Sequence, residues 1–216
     1  MEPDAVEIRV VGCLIEKQRT TPDVYPLSLN ALRLACNQST NREPVVDFDE
    51  QTVVEALRRL ALRGWTRLAS GAGSRARKYR HLLDEAFGLD EAEISLLAVL
   101  MLRGAQTPGE LKQRAARLHD FPALNAVQEA LDHLVERGLV ARHERRPGQK
   151  EDRYEQLLGG VTAGEEVAAA GTAFAEPPSD SEAEVLVPAE DRLTRLEREL
   201  GELRSELAAL RAELGG

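Results

Sequence analysis

The sequence predicts a mainly α-helical fold with small β-hairpins, an α+β protein made of two similar domains and a separate C-terminal helix. The main observation is a repeat: the pattern Ala-Leu-x-x-Leu-x-x-Arg-Gly stands at residues 56–64 and again at 130–138. In both copies it is followed by a short apolar stretch, a run of basic residues, a tyrosine and two leucines. The copies begin 74 residues apart, at positions 56 and 130. A period of that length is typical of two copies of a small domain.

Helical spacing of apolar residues, followed by strand-like segments, defines the elements of the first copy. The predicted elements are a helix from Ile8 that stops before Thr20, a helix from Pro26 and Ser28 to near Asn37, a helix from Asp47 or Asp49 to Gly64, and strands over residues 65–69 and 75–82. Residues 38–48 are polar and predict a loop, and the glycine-rich residues 70–74 predict the tip of a hairpin.

The second copy predicts the same order of elements. Its helices are expected over residues 93–102, 109–116 and 124–136, and its strands over residues 139–143 and 152–157. Thr107-Pro108 is read as the counterpart of Thr21-Pro22, and the loop of residues 38–48 as having none, which would make this copy about a dozen residues shorter there. Three helices followed by a two-stranded hairpin is the order of a winged helix. We therefore predict winged-helix domains over residues 1–85 and 86–158.

The tail differs in composition from the two domains. From residue 159 onward there are 5 basic and 13 acidic residues, whereas residues 1–158 contain 23 and 24. Residues 159–190 predict a flexible acidic linker. A leucine stripe with heptad spacing follows and predicts a coiled coil over residues 191–214; it consists of Leu193, Leu196, Leu200, Leu203, Leu207, Leu210 and Leu214. Its charge pairs favour a parallel homodimer, while a helix that folds back onto the domains and a trimer both stay open.

Composition narrows the classes of function. No apolar run reaches the ~20 residues of a membrane span and the first residues are acidic, so we expect a cytoplasmic protein without a membrane partner. Cys13 and Cys36 lie in helical patterns and are expected to be small buried residues. The four histidines show no metal-ligand spacing, and no acid pair or Ser/His/Asp set is brought together. We expect no catalytic residue, no metal, no cofactor and no enzymatic activity.

One surface of the first copy is suited to a polyanion. On a DNA-bound winged helix the third helix enters the major groove and the hairpin contacts the backbone. The candidate nucleic-acid-binding residues are Gln51, Thr52, Arg58, Arg59 and Arg63 on the third helix, and Arg67, Arg75, Arg77, Lys78 and Arg80 on the hairpin. No acidic residue interrupts the basic hairpin. The alternative is a solvated hairpin whose charges prevent edge-to-edge aggregation.

The corresponding surface of the second copy is acidic. Its third helix is predicted to expose Glu129, Asp132, His133 and Glu136, which would repel phosphate. This copy is therefore expected to pack against, or bind, a protein. In the first copy, Asn37, Gln38, Asn41 and Arg42 are further candidates in the loop, either as contacts to bases and phosphates or as capping and turn residues. Both interpretations of the loop are open.

Several long strings in the first copy carry a resemblance. They are Arg9 to Lys17 (RVVGCLIEK), Thr20-Thr21-Pro22, Tyr25 to Leu32 (YPLSLNAL), Ala35 to Gln38 (ACNQ) and Asn41 to Pro44 (NREP). In this order they resemble the YceH-like family of uncharacterised bacterial proteins. The match is densest over residues 7–65. The resemblance implies a tandem winged-helix fold and supplies no activity, substrate or site residue.

The sequence favours a dimeric DNA-binding or transcription-associated protein, with duplex DNA as the partner of the first copy. The alternative is a protein–protein interaction scaffold built from tandem winged helices, by analogy at the level of fold with the kleisin-binding subunit of bacterial condensin. The acidic second copy and the acidic tail favour the alternative.

Overall fold

The computed structural model describes residues 2–69, 77–145 and 151–159. Its first helix, α1 (Ala5–Thr20), begins at a capping box. The Glu7 N–H donates to the Asp4 carboxylate, and the Asp4 N–H donates to the Glu7 carboxylate. This reciprocal pair satisfies two backbone donors that a helix start leaves without partners.

The first unit comprises the elements of residues 5–81, and the second unit those of residues 91–156. Two further helices complete the helical part of the first unit. Helix α2 (Leu29–Cys36) is capped by Ser28 and helix α3 (Glu50–Leu62) by Asp49. A 3-10 turn (Pro22–Val24) leads from α1 towards α2.

The first sheet has three strands, one more than the sequence predicted. They are β1 (Leu27–Ser28), β2 (Thr66–Leu68) and β3 (Lys78–His81). All pairs are antiparallel in the order β1-β3-β2, and Leu27 lies opposite Tyr79. The short β1 was missed because two residues give no alternation of apolar and polar side chains.

The second unit follows a connecting helix, α4 (Leu83–Phe87), which the sequence did not predict. Its elements are α5 (Glu91–Arg103), α6 (Pro108–Ala115), α7 (Leu124–Glu136), β4 (Val140–His143) and β5 (Arg153–Gln156). An isolated bridge between Gln106 and Tyr154 stands where β1 pairs with β3 in the first unit. The predicted α+β class, mainly helical with small antiparallel sheets, is confirmed.

Two details of the predicted repeat are wrong. Thr107 caps α6, so its counterpart is Ser28, which caps α2, and not Thr21. The loop before α3 does have a counterpart, since residues 37–49 correspond to residues 116–123. The second unit is shorter by about a dozen residues, and the difference is spread over three places. Helix α5 has 13 residues where α1 has 16. The connection from α5 to α6 is about four residues shorter than that from α1 to α2, and the connection from α6 to α7 is about five residues shorter than that from α2 to α3. Aligning the two copies at Pro22 and Pro108 placed the repeat out of register, because Pro22 begins the 3-10 turn whereas Pro108 begins helix α6.

Helices α1 and α5 pack against each other, and both are buried around most of their circumference. A Cβ atom on Gly12 would lie 3.1 Å from Met101 Cβ and 3.2 Å from the Leu102 side chain, so glycine permits the close approach. The buried apolar residues of both units form one continuous core within one compact body. The predicted burial of Cys13 and Cys36 is confirmed, and both thiols are free.

None of the helices in the described ranges combines the length and the hydropathy that a membrane span requires. Arg75 and the hairpin tip, the linker beyond residue 159 and the predicted coiled coil with its leucine stripe all lie outside the described residues.

Candidate nucleic-acid interface

The first sheet carries two arginines directly opposite each other. Arg67 on β2 pairs in register with Arg80 on β3. Tyr79 packs against the core and His81 is buried, so the alternation of a strand places Lys78 and Arg80 on the other face of the sheet. Arg67 is exposed, and so is Arg77 at the edge of the described hairpin. This outer face is therefore cationic.

The two arginines of the outer face have few compensating charges. The Arg67 side chain has no hydrogen bond or ion pair with any described residue, while Arg80 Nη2 lies 3.2 Å from Glu85 Oε1 on α4. Glu85 has 65% of its side chain exposed, so that pair is weakened by solvent. Like charges directly opposite on a sheet destabilise it. A bound polyanion would relieve this repulsion.

The exposed side of α3 supplies polar groups but fewer cations than the sequence predicted. Gln51 is exposed, and Arg58 is exposed with its Nε 3.4 Å from Glu55 Oε2. Thr52 is half-buried and its backbone N–H donates to the capping Asp49 carboxylate. Of the residues that the sequence predicted on α3, Gln51 and Arg58 are exposed.

Arg59 and Arg63 hold α3 against the start of α1. Arg59 Nη2 is 2.7 Å from Asp4 Oδ2, and Arg59 Nε is 3.2 Å from Glu7 Oε2. Arg63 Nε is 3.1 Å from Glu7 Oε1, and Glu7 is buried. The sequence predicts that both arginines face outward. The structure places them in an internal ion-pair cluster, because the final turn of α3 crosses the capping box of α1.

The second unit contains the same ion pair between the end of its third helix and the start of its first helix. Arg137, the counterpart of Arg63, lies with Nη1 3.2 Å from Oε2 of Glu93, the counterpart of Glu7. Glu93 also closes a capping box with Asp90. The Arg-Gly of the repeated motif therefore has a structural role in both units. The sequence signal that was missed is Asp-x-x-Glu at residues 4–7 and 90–93.

The loop candidates are mostly engaged within the protein. The Asn37 side-chain amide donates to the Phe48 carbonyl and accepts from the Phe48 N–H. The Arg42 side chain is completely buried and pairs with Glu16 at 2.6 Å. Asn41 is exposed and accepts from Arg103, while Gln38 accepts from Arg42. The contacts of Asn37 and Arg42 are those of turn and capping residues.

The second hairpin has a different outer face. The pair that corresponds to Arg67 and Arg80 is Ala141 and Glu155. Arg142 Nε lies 2.8 Å from Asp152 Oδ2, and Arg153 Nη1 lies 3.2 Å from Glu110 Oε2. These arginines are neutralised by carboxylates of their own unit.

Helix α7 in the second unit carries an acidic exposed side. As predicted, Glu129, Asp132, His133 and Glu136 are exposed. Together with the paired Arg142 and Arg153, this side makes the described part of the second unit unfavourable for a phosphate backbone.

The described ranges contain no group of three or more His, Cys, Asp or Glu side chains that could hold a metal ion. The arrangement as a whole is that of a small α+β protein in which three helices and a hairpin occur twice, with a cationic outer face on the first sheet.

The chain belongs to the family described as "Protein of unknown function, DUF480", whose model matches residues 4–149. It is 48% identical over 197 residues to a UPF0502 protein of Geotalea daltonii, covering 90% of this chain and 86% of the relative. A UPF0502 protein of Geobacter metallireducens is 46% identical over 199 residues, covering 91% and 88%. One from Pectobacterium atrosepticum is 43% identical over 208 residues, covering 93% and 94%. The resemblance to uncharacterised bacterial proteins of the YceH-like kind is confirmed.

Proposed function

We propose that this protein is a non-catalytic DNA-binding protein in which each unit is a winged helix and the first unit contacts duplex DNA. The observation that carries the proposal is the pairing of Arg67 with Arg80 on the outer face of the first sheet. Two cations held side by side without a buried carboxylate suit a phosphate backbone, which carries one negative charge per ~1.7 Å of helix axis.

Helix α3 would supply the contacts to bases. In a winged helix this element lies in the major groove. Gln51 and Arg58, both exposed on it, are side chains whose geometry allows paired hydrogen bonds to adenine and guanine respectively. Arg77, and Arg75 beyond the described residues, would extend the phosphate contacts along the hairpin.

The leucine stripe of residues 193–214 would join two copies of the chain. A parallel coiled coil would bring two first units to one duplex and set the distance between their sites. This dimer is part of the proposal and rests on the sequence alone.

The test is the salt dependence of DNA binding. Fluorescence anisotropy with a labelled duplex, measured over a salt series, should show binding that weakens as salt rises. Arg67→Ala and Arg77→Ala should each reduce the slope of log K against log salt by about one. Arg145→Ala, on the second hairpin, is the matched control and should leave the slope unchanged. Absence of binding at low salt would end the proposal.

A scaffold function is the second candidate, and the exposed acids of α7 favour it. Glu129, Asp132 and Glu136 offer a surface for a basic protein partner. Affinity capture from a nuclease-treated extract distinguishes the two. A stoichiometric partner that is lost when Glu129 and Asp132 become Lys supports the scaffold, whereas co-purifying DNA that disappears on nuclease treatment supports the first candidate.

A further inference from the structure

A polar cavity lies where the two units meet, away from the outer face of the first sheet. Its volume is about 620 Å³. The C-terminal part of α1, the loop between α2 and α3, the end of α5, and α6 with the residues after it form its walls. Cavities that hold small organic ligands have volumes of about 300 to 1,000 Å³. This one is large enough for a nucleotide.

Positive charge dominates the lining of the cavity. Four cationic side chains face it: Lys17, Arg103, Arg114 and Arg117. Among the described lining residues the single carboxylate is Glu16, and it is already engaged. Arg42 binds both of its oxygens from the protein side, with Nη1 3.0 Å from Oε1 and Nη2 2.6 Å from Oε2. Lys17 adds a contact of 3.5 Å.

The arginines of the cavity have weak or neutral partners. Arg103 donates to the side-chain oxygen of Asn41, which carries no charge. Arg117 is exposed and has no ion pair with any described residue, and Arg114 lies 3.5 Å from Glu110. Burial, together with the nearby charges of Arg114 and Arg42, lowers the pKa of Arg103. A bound anion would stabilise these arginines, because it would offset the repulsion between their positive charges.

The loop that closes one side of the cavity is held in place by Arg42. The Arg42 guanidinium donates to the carbonyls of Ala35 and Asn41 and to the Gln38 side chain, in addition to Glu16. Asn41 itself adopts φ +60°, a left-handed conformation that asparagine tolerates better than most residues. The loop therefore presents polar side chains to the cavity in a fixed arrangement, and a ligand would not have to order it.

We propose that this cavity binds a phosphorylated small molecule of nucleotide size. Guanidinium groups match phosphate oxygens in paired hydrogen bonds, so Arg103, Arg114 and Arg117 would hold the phosphate. Gln38 and Asn41 offer amide groups to the organic part of the ligand, and Val99 and Leu102 offer it an apolar wall. The site is independent of the cationic sheet and of the DNA-binding proposal.

Isothermal titration of the full chain with ATP, AMP and inorganic phosphate tests the proposal. ATP or AMP should bind more tightly than inorganic phosphate, because only they also reach the amides and the apolar wall. Arg103→Gln and Arg117→Gln should each weaken that binding about tenfold, the size expected for one charge-assisted hydrogen bond. Arg117 is exposed, so its variant is expected to fold even if the Arg103 variant does not. Arg67→Ala, on the first sheet, is the matched control and should bind the nucleotide normally.

Three outcomes would overturn the proposal. The first is that none of the three probes binds at millimolar concentration to the folded protein. The second is that nucleotide binds equally well to the wild type and to the Arg117 variant. The third is that no nucleotide binds but labelled duplex DNA binds more weakly to the Arg103 and Arg117 variants, which would assign these phosphate contacts to the DNA backbone. A failure of the DNA-binding proposal alone would show as nucleotide binding without duplex binding.

Discussion

The two units of this protein share a helical frame and differ on the outer faces of their sheets. In both, the third helix ends in an Arg-Gly whose arginine reaches the capping-box glutamate of the first helix, Glu7 in one and Glu93 in the other. The pair on the outer face is Arg67 and Arg80 in the first sheet but Ala141 and Glu155 in the second. The helical frame is therefore common to both units, and the outer faces of their sheets differ in charge.

The strength of the shared ion pair also differs between the units. Glu7 is reached by Arg59 and Arg63, while Glu93 is reached by Arg137. His133 replaces the second arginine in the second unit, and it is exposed. The first unit therefore depends more strongly on its buried carboxylate.

Removal of that carboxylate should have the largest effect. We expect Glu7→Ala to lower the free energy of unfolding by about 4 kcal/mol. The change removes the carboxylate partner of Arg63 and one of the two carboxylates that Arg59 contacts, and it opens the capping box. Glu93→Ala, the matched variant, should cost about 2 kcal/mol, since one arginine is affected. Urea unfolding followed by circular dichroism measures both. Equal decreases in the unfolding free energy for the two variants would show that the two units depend equally on their buried carboxylates.

A third difference between the units lies on the buried faces of their sheets. His81 on β3 is buried, whereas the corresponding residue of β5 is Gln156. The His81 ring contacts Gln18, and its Nδ1 lies 3.5 Å from Asp84. Burial lowers the pKa of His81 to about 4, and the charges of Arg19 and Arg80 act in the same direction while Asp84 opposes them. The stability of the first unit should therefore decrease at acidic pH more than that of the second unit.

His81→Gln, which gives the first unit the residue of the second, should remove this sensitivity. The unfolded chain takes up a proton on this histidine below a pH of about 6.5, but the folded protein does so only near its pKa of about 4. The unfolding free energy should therefore fall as pH drops through that window, by about 3 kcal/mol in all. Urea unfolding at several pH values should show a flatter profile for His81→Gln. The exposed His133→Gln is the control, and a profile that is unchanged by His81→Gln would contradict the expectation.

Local patterns predicted most of the fold. Helix α7 was predicted with both ends correct, over residues 124–136, because its apolar stripe is regular and Gly138 follows it. The predicted positions of α1, α2, α3 and the hairpin strands agree with the structure to within a few residues. The two-residue strand β1 and helix α4 were missed, since each depends on tertiary contacts for its conformation.

The candidate site was harder to predict because a basic residue on a helix does not reveal its partner. Arg58 and Arg59 are neighbours in sequence, yet Arg58 is exposed while Arg59 contacts Asp4, 55 residues away. Arg42 lies in a loop that the sequence predicts to be polar, yet its side chain is fully buried. The cavity between the units could not be found from the sequence, because its walls come from four separate segments.

Exchange of the outer-face pairs would sharpen the comparison between the sheets. Arg67→Ala combined with Arg80→Glu gives the first sheet the pair of the second. We expect duplex DNA to bind about thirtyfold more weakly at low salt, because three units of positive charge are removed from the proposed contact surface. Anisotropy measures the loss, and urea unfolding confirms that the sheet survives. If the exchanged protein binds DNA as the wild type does, the first sheet is not the contact surface.

Arg142 on the second hairpin should have the smallest effect. Its hydrogen bond to Asp152 holds the pKa of that carboxyl below its usual range. The Arg142 side chain is nevertheless 54% exposed, and exposed pairs contribute little to stability since water and salt screen them. We expect Arg142→Ala to leave the urea midpoint and the DNA affinity unchanged. A clear loss of DNA binding would mean that the second hairpin also contacts the duplex, and the contrast between the two outer faces would then not separate their functions.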